Sequence, residues 1–381
     1  MRQSQRRVAV LLFAVAWGAN HFVPLLVVYR ARLALSPVEL AILFGVYAVG
    51  LLPGLLGGGP LSDRLGRRRV VLPASVVELV GSSILAWGGV GFPVLLAGRF
   101  VVGLGAGATF SAGTAWVQDL AAGAAPGTGA RRAAIALSSG FGGGPLVASI
   151  LAQWLPWPMT LPYLVHAAVL ACAIAATAMQ PADAVREVVD PSEHVRMRMP
   201  EETSLPPGFG VVALVAPWVF VFPSVSFAVI PALVRSRVAS LAVIFAGIVT
   251  ATTLLLGVLV QPALRKRPRE AGTFGLVAGA LGLLCGAAAA RQGSPLGALI
   301  AAVLLGSGYG GCLIFGLRFI EANTTPATRG RLTGIYYALT YIGFASPLAL
   351  AAIARRIGDV PSLLVAFVLA IGTLLASAAG P

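Results

Sequence analysis

Four polar residues lie inside otherwise apolar stretches of this sequence and have the chemistry to carry a proton or contact a solute: Asn20, His21, Glu78 and Arg99. Apolar surroundings favour the neutral form of a carboxyl group, which would let Glu78 take up and release protons near neutral pH. Imidazole titrates in the same range, so His21 is a second candidate. Two alternatives stay open: Glu78 forms a permanent ion pair with Arg99, and His21 is only hydrogen-bonded within its helix.

The composition places these residues in a membrane protein. The chain has 381 residues, of which 58% are hydrophobic and 10% charged, whereas a soluble domain carries charge on about a quarter of its residues. The formal net charge of +14 comes from arginines dispersed in short connections, so a nucleic-acid partner is not expected. Three cysteines stand apart from one another and from the histidines, so no metal site, other cofactor or disulfide framework is predicted.

Twelve apolar stretches are long enough to cross a bilayer, which takes roughly 20 residues each. They run Val8–Tyr29, Val38–Gly58, Val70–Val90, Pro93–Gln118, Ala133–Trp154, Thr160–Met179, Phe209–Val234, Val238–Leu264, Ala271–Ala290, Leu296–Ile320, Leu332–Ala354 and Ser362–Ala379. A charged, proline-rich segment predicts a linker at 181–208 between six-helix bundles at 1–180 and 209–381. Arginines before the first stretch also fit a signal peptide, but no clear cleavage site follows, and we expect an uncleaved helix.

The distribution of basic residues predicts the orientation of the chain. Most of the 27 lysines and arginines fall on the side of the two termini, and cytoplasmic connections are the ones that carry such an excess. We therefore expect a multi-pass protein of the cell inner (plasma) membrane, embedded in the lipid bilayer, with both termini in the cytoplasm.

The two predicted bundles repeat the same pattern about two hundred residues apart. The pairs are Gly57 and Gly257, Arg67 and Arg267, Gly103 and Gly306, Asp119 and Glu321, and Pro145 and Pro347. Small residues allow helices to pack closely in a membrane. Two matching bundles related by a pseudo-two-fold axis are typical of transporters that work by alternating access.

The connection after the second predicted span has the most specific pattern in the chain, Gly59-Pro-Leu-Ser-Asp63-Arg64-Leu-Gly66-Arg67-Arg68-Arg69. It resembles the loop between helices 2 and 3 of the major facilitator superfamily, and the twelve spans and paired bundles are similar to that family too. The resemblance implies an all-α integral membrane fold that transports small molecules. It also implies a cytoplasmic gate loop made of Gly59, Asp63, Arg64, Gly66, Arg67 and Arg68. In that gate, Asp63 contacts the start of helix 11 near Leu332.

The gate-loop residues also have physical roles. Gly59 would let helix 2 approach the opposite bundle, and Gly66 permits a turn that alanine would strain. Asp63 places a negative charge where the positive N-terminus of a helix can hold it, while the arginines balance this charge and contact lipid headgroups. The alternative is a positive cluster that only sets the orientation, which explains the arginines but neither Gly59 nor Asp63.

Two further patterns resemble the same family. Arg99 and the glycines at 103, 105 and 107 are similar to helix 4 of proton-coupled members. A charge inside the membrane costs at least ~2.5–3.5 kcal/mol, so Arg99 is expected to face protein or water with a partner, or else to snorkel toward the helix end. Gly140, Gly144 and Pro145 resemble helix 5 of drug–proton antiporters, although alanine and serine replace the glycine pair that follows there. Packing alone is the alternative reading of this motif.

The resemblance places a central cavity between the bundles, and we expect a roomy, weakly charged binding site. The polar and aromatic residues expected near it are Ser111, Thr114, Ser224, Ser226, Ser307, Tyr309, Tyr336, Tyr337 and Tyr341. The leading hypothesis is a monomeric, proton-coupled exporter of amphiphilic or drug-like compounds. The alternative is an importer or facilitator of sugars or other small metabolites on the same fold.

Other function classes lack the residues that they require. The sequence has no His-Glu-x-x-His pattern and no recognisable nucleophile with a base, so no catalytic residue is predicted and the chain is not expected to be an enzyme. It also has no Walker loop, so ATP is not expected to drive transport directly.

Overall fold

The computed structural model describes the backbone of residues 2–121, 123–125, 128–180, 205–324 and 326–379. Side chains are described for the same residues except 2, 268, 269, 326–330 and 379. Most of the predicted linker at 181–208 lies outside the described residues, and the domain boundaries that rest on it stay a prediction.

Within these residues, twelve helices are long and apolar enough to cross a membrane, which confirms the predicted number. In chain order, α1 to α12 run Gln3–Arg32, Pro37–Leu65, Arg67–Ala86, Phe92–Asp119, Thr128–Trp154, Leu161–Ala178, Phe209–Leu233, Arg235–Leu264, Glu270–Gln292, Pro295–Asn323, Arg331–Ile357 and Asp359–Ala378. An even number of crossings leaves both chain ends on one side, which we term the terminal face. The other side is termed the opposite face.

Local sequence signals set the ends of α2. Ser36 Oγ accepts a hydrogen bond from the Glu39 backbone N–H (3.2 Å), and Glu39 Oε2 accepts one from the Ser36 N–H (2.8 Å). This capping box satisfies two N–H groups at the helix start. At the other end, α2 and α3 are separated only by Gly66, whose φ of +92° lies in the left-handed region. The predicted need for glycine at this turn is confirmed.

Three helices are irregular in their middle sections. A turn at His21 divides α1, a π-helical segment at Val225–Val229 interrupts α7, and a 3-10 segment at Ile342–Ala345 interrupts α11. The second part of α1 contacts the π segment of α7, and α2 contacts the 3-10 segment of α11. Irregular backbone inside a membrane is tolerated where it packs on protein or lines a cavity. The breaks therefore mark the region between the bundles.

Close helix contacts confirm the internal repeat. A methyl group at Gly103 of α4 would overlap the Tyr47 carbonyl of α2, and one at Gly306 of α10 would overlap the Thr253 carbonyl of α8. In the same way, the glycine at 140 brings α5 against α1, and the glycine at 343 brings α11 against α7. The two six-helix bundles thus use matching small residues at matching helix contacts.

One predicted repeat pair, Gly57 and Gly257, is wrong. A methyl group at Gly57 would meet open space, whereas the Gly257 carbonyl lies against Gly310 of α10. The equivalent contact in the first bundle is between Gly107 and the Leu51 carbonyl. By these packing contacts, Gly257 of α8 corresponds to Leu51 of α2 and not to Gly57.

The two bundles are joined near the opposite face. At the end of α5, Gln153 Nε2 donates to the Ser240 carbonyl (2.5 Å), and Gln153 Oε1 accepts from the Ile244 N–H (3.3 Å). Early in α2, the Phe44 ring stacks on Phe344 of α11, with centroids 5.2 Å apart. These contacts hold the bundles together on this side.

The substitution Gly103→Ala should destabilise the protein, because the new methyl group would overlap a backbone carbonyl that cannot move without displacing α2. We expect a loss of about 1–3 kcal/mol, as for other overpacked positions, measured as a lower midpoint of thermal unfolding of the purified protein. Gly57→Ala is the matched control, since its methyl group enters open space. Equal midpoints for the two variants would contradict the close packing of α4 on α2.

Candidate functional site

The Glu78 carboxyl group is fully buried where α1, α3, α4 and α6 meet. The Glu78 backbone lies against Gly105 of α4. Its side chain lies beside Gly18 of α1 and His166 of α6, because a methyl group at Gly18 would overlap both Glu78 Oε1 and the His166 ring. Neither carboxyl oxygen has a hydrogen-bond partner among the described residues. An enclosed carboxylate without a partner is unfavourable, so this position favours the neutral acid.

Both ring nitrogens of His166 are hydrogen-bonded. Nε2 lies 3.0 Å from the Ala14 carbonyl oxygen, and Nδ1 lies 2.9 Å from Ser82 Oγ. A carbonyl oxygen only accepts, so Nε2 carries a proton in either charge state of the ring. The Ser82 hydroxyl can donate to the neutral ring and accept from the protonated ring. His166 can therefore gain or lose a proton without losing a hydrogen bond.

His21 lies at the turn in α1 and extends this group of side chains. Its ring centroid is 4.8 Å from that of His166 and 4.7 Å from that of Tyr163. Nδ1 donates to the Trp17 carbonyl (3.3 Å), and the buried Nε2 has no partner within the described part of the chain. We term Glu78, His166 and His21 the acid–histidine cluster. Asn20, the neighbouring candidate, is only partly buried.

Arg99 is also buried in the first bundle. Its Nε donates to the Leu43 carbonyl (3.3 Å) and its Nη1 to the Ala19 carbonyl (3.2 Å). Its Cζ lies 4.3 Å from the ring centroid of Phe22 and 4.5 Å from that of Tyr47. Carbonyl dipoles and the faces of two aromatic rings thus stabilise the guanidinium charge.

Two of the alternatives considered for Arg99 are wrong. No ion pair with Glu78 occurs among the described residues, and Arg99 does not snorkel, because it is only 1% exposed. Glu78 packs against Gly105, which lies about 9 Å further along α4 at 1.5 Å per residue. The prediction that Arg99 faces protein is confirmed, but its partners are carbonyls and aromatic rings rather than an acid.

The second bundle has no acid in the place of Glu78. Gly308 of α10 lies against Gly279 of α9, just as Gly105 of α4 lies against Glu78 of α3. A methyl group at Gly279 would overlap the ring of Phe222. An aromatic ring therefore occupies the space that the carboxyl group has in the first bundle, so Glu78 is not a remnant of the repeat.

Several residues of this site were not predicted from the sequence. His166, Ser82 and Gly18 complete the surroundings of Glu78. Next to His21, the hydroxyl groups of Tyr29 and Tyr163 share a hydrogen bond of 2.5 Å. His166 carries the same signal that singled out His21, a polar residue in an apolar stretch, and could have been found from it.

At the terminal face, Arg67 is the centre of a polar network. Its guanidinium forms ion pairs with Asp63 of α2 and with Asp119 of α4 (2.9 Å), and it donates to Ser62 Oγ (2.6 Å). Arg68 donates to two carbonyl oxygens at the end of α6 and just beyond it (2.5 and 2.9 Å). The network thus links α2, α3, α4 and α6 of the first bundle.

The gate-loop predictions have mixed outcomes. Among the described residues, a methyl group at Gly59 would meet Ser111 of α4 in the same bundle, and the predicted approach of Gly59 to the opposite bundle stays a prediction. Asp63 is balanced by a neighbouring arginine as expected, and Arg64 is exposed. The contact of Asp63 with the start of helix 11 stays a prediction, since the side chains of residues 325–330 lie outside the described residues.

The glycines of the helix-5 motif bring α5 against α1. Methyl groups at Gly140 and Gly144 would overlap backbone atoms of Phe13 and Trp17. Pro145 directly follows inside the same helix. These contacts show that the motif packs two helices together, and they carry no information on the direction of transport.

Aromatic side chains from both bundles meet between them, a contact that the sequence did not predict. The Phe44 ring lies 5.8 Å from Phe227 and 5.2 Å from Phe344. The Phe220 ring lies 4.8 Å from Tyr341 and 4.7 Å from Phe344. We term these five residues the aromatic contact.

Several polar residues predicted to line the cavity bond within their own bundle instead. Ser226 shares a hydrogen bond with Thr253 (2.6 Å), and Thr114 and Ser307 donate to carbonyls of their own helices. The Tyr336 hydroxyl donates to a carbonyl of α10 (3.1 Å). These hydroxyl groups therefore have partners without a solute.

Residues 8–347 match the family model described as Major Facilitator Superfamily. Multidrug resistance protein MdtL of Shigella flexneri serotype 5b (strain 8401) is 35% identical over 89 residues, which are 23% of this chain and 22% of that protein. Probable polyol transporter 6 of Arabidopsis thaliana is 39% identical over 72 residues, 19% of this chain and 14% of that protein. The chain thus spans less than a quarter of the length of these relatives.

Solved structures agree along nearly the whole chain. A POT family transporter in complex with 5-aminolevulinic acid superimposes with a TM-score of 0.78 at 12% identity, covering 97% of this chain and 95% of that one. The nucleoside transporter NupG gives a TM-score of 0.69 at 15% identity, covering 100% and 99%. At such identities the likeness shows the fold alone. The family model, which matches most of the chain, shows that it belongs to the major facilitator superfamily, and its twelve apolar helices make it a multi-pass membrane protein.

Proposed function

We propose that this transporter is a proton-coupled exporter of small amphiphilic or drug-like compounds, in which Glu78 takes up and releases the coupled proton. One observation carries the proposal: the Glu78 carboxyl group is fully buried, lacks a hydrogen-bond partner among the described residues and lies beside a histidine. An ionisable residue in such a position inside a membrane is a candidate for proton transfer.

The chemistry of the acid–histidine cluster supports this role. In the arrangement described, the enclosed carboxyl group is stable as the neutral acid and costly as the anion. A movement that admits water to Glu78 would let its proton leave. His166 can take up a proton only at Nδ1, so a proton from Glu78 would reach it through the Ser82 hydroxyl or through water, with both hydrogen bonds of the ring kept. His21 Nε2 offers a further acceptor. Proton exchange is thus tied to movement of the surrounding helices.

Helix α1 connects the cluster to the other bundle. Gly18 contacts both Glu78 and His166, and α1 turns shortly afterwards at His21. The segment beyond the turn, Phe22–Arg32, contacts α8 of the second bundle. Movement of the second bundle during alternating access would therefore shift the part of α1 that encloses the carboxyl group.

The aromatic contact favours an amphiphilic substrate. Rings offer large apolar faces with little polarity, whereas several of the hydroxyl groups expected near the cavity already have partners within their own bundle. The matched relatives include both a multidrug resistance protein and a polyol transporter. An importer or facilitator of sugars or other small metabolites is therefore the second candidate.

The gate and the orientation belong to the same proposal. The arginines of the gate loop lie at the terminal face. We assign this face to the cytoplasm and place the protein in the inner membrane of the cell. Asp63 would contact the start of α11 and help hold the two bundles together on the cytoplasmic side. The bundles would span residues 1–180 and 209–381, and the protein would act as a monomer.

Glu78→Gln should abolish proton coupling, because the amide fills the same space but cannot release a proton. In inverted vesicles with a pH-sensitive dye, compounds from an amphiphilic panel should collapse an imposed proton gradient with the natural sequence. In the variant, the rate at which these compounds collapse the proton gradient should be at least about tenfold lower, a difference of roughly 1.4 kcal/mol. Glu270→Gln, which neutralises an exposed acid, is the matched control and should leave the rate unchanged.

An unchanged rate in Glu78→Gln would refute the role of this residue. A radiolabelled sugar that equilibrates across the membrane without moving protons would instead establish the facilitator. That result is distinguishable from inactive protein, because transport of the sugar is itself measured.

Asp63→Asn should slow transport while leaving the folded protein in the membrane, since exposed ion pairs contribute only about 0–1 kcal/mol to stability. Asp119→Asn is the informative control, because it removes the other carboxylate on Arg67 but leaves Asp63 in place. If Asp63 holds α11, its variant should be the slower of the two in the vesicle assay. Equal rates would mean that the acids only organise Arg67 within the first bundle.

A further inference from the structure

A cavity lies between the two bundles at the opposite face. Its volume is about 270 Å³, and its walls come from α1, α2, α7, α8, α11 and α12. Leu26, Phe227 and Leu350 contribute to apolar walls from both bundles. Phe227 also packs on Phe44, with centroids 5.8 Å apart. We term this space the opposite-face cavity; it is separate from the acid–histidine cluster, which is enclosed within the first bundle.

Two arginines border the opposite-face cavity without a matching acid. Arg30 of α1 and Arg235 of α8 line it, and neither forms an ion pair with any acid among the described residues. Asp359 lines the same cavity but is not within ion-pair distance of either arginine. A neighbouring cavity of about 470 Å³ is lined by Arg235 and Arg32. Positive charge is thus concentrated where the two bundles meet.

We propose that the opposite-face cavity binds a single-chain amphiphilic monoanion, such as a medium-chain carboxylate, and that the bound ligand holds the bundles in the arrangement described. The apolar walls would take the chain, and Arg30 and Arg235 would bind the carboxylate. Asp359 would repel a second negative charge on the ligand.

The size of the cavity selects one source of this chemistry. A volume of about 270 Å³ equals about nine water-sized volumes of ~30 Å³ each, which is room for a single short chain. A lipid with two long acyl chains would not fit inside it. The free carboxylate, rather than a membrane phospholipid, is therefore the assigned occupant.

The position of the cavity gives the ligand its effect. Its walls belong to both bundles, so a movement of one bundle against the other changes its shape. A ligand that binds one arrangement more tightly shifts the population toward that arrangement. A ligand that holds the bundles in the arrangement described is therefore inhibitory.

Binding of radiolabelled decanoate to the full-length protein in nanodiscs tests the site, with empty nanodiscs subtracted. Saturable binding should be displaced by unlabelled decanoate and not by decanol. Combining Arg30→Gln and Arg235→Gln should weaken it at least about tenfold. Arg291→Gln, which neutralises an exposed arginine at the end of α9, should bind like the natural sequence.

Equal affinity in the double variant, or no saturable binding, would overturn the site. Loss of decanoate binding when the nanodisc lipid is made anionic would overturn the assignment to a single-chain ligand. For the effect on the bundles, spin labels at Ser36→Cys and Ile357→Cys, in a background without the native cysteines, report the distance across the opposite face. Decanoate should increase the fraction of molecules with the shortest distance between the two labels. An unchanged distribution of label-to-label distances would overturn the inhibitory role.

Discussion

Enclosure of the Glu78 carboxyl group by four packed helices is the constraint on which the rest of this account depends. A carboxylate in apolar surroundings needs a partner or a proton, and the described residues provide no hydrogen-bond partner. Gly18 and Gly105 have no side chain, so α1 and α4 pack closely around the acid–histidine cluster and separate it from the other bundle. Proton exchange then requires these helices to separate, which links a chemical step to movement of the bundles.

The two bundles share their packing but not their chemistry. Matching glycines bring α4 onto α2 and α10 onto α8, so the scaffold is a true repeat. Into it the first bundle places an acid, two histidines and an arginine, whereas the second places Phe222 against Gly279. Under the proposed function, the first bundle would hold the coupled proton, and the second bundle would add aromatic surface to the contact between them.

The sequence predicted what depends on composition and local backbone geometry. Twelve spans follow from apolar stretches, and the turn at Gly66 follows from its neighbours. Glu78 stands out as the acid within an apolar stretch, and its burial follows from that. The sequence could not predict the neighbour of Gly59 or the partners of Arg99, because these contacts depend on which faces of the helices pack against each other. The bonds of His166 join residues 84 and 152 positions apart, and no local pattern signals such contacts.

The most direct test of the central claim is infrared difference spectroscopy of the purified protein near neutral pH. A protonated Glu78 should give a carbonyl stretching band of a carboxylic acid that shifts after exchange into heavy water and is absent from Glu78→Gln. A spectrum in which the natural sequence and this variant show the same protonated-acid bands would contradict the central claim, since Glu78 would then be ionised within the closed helices.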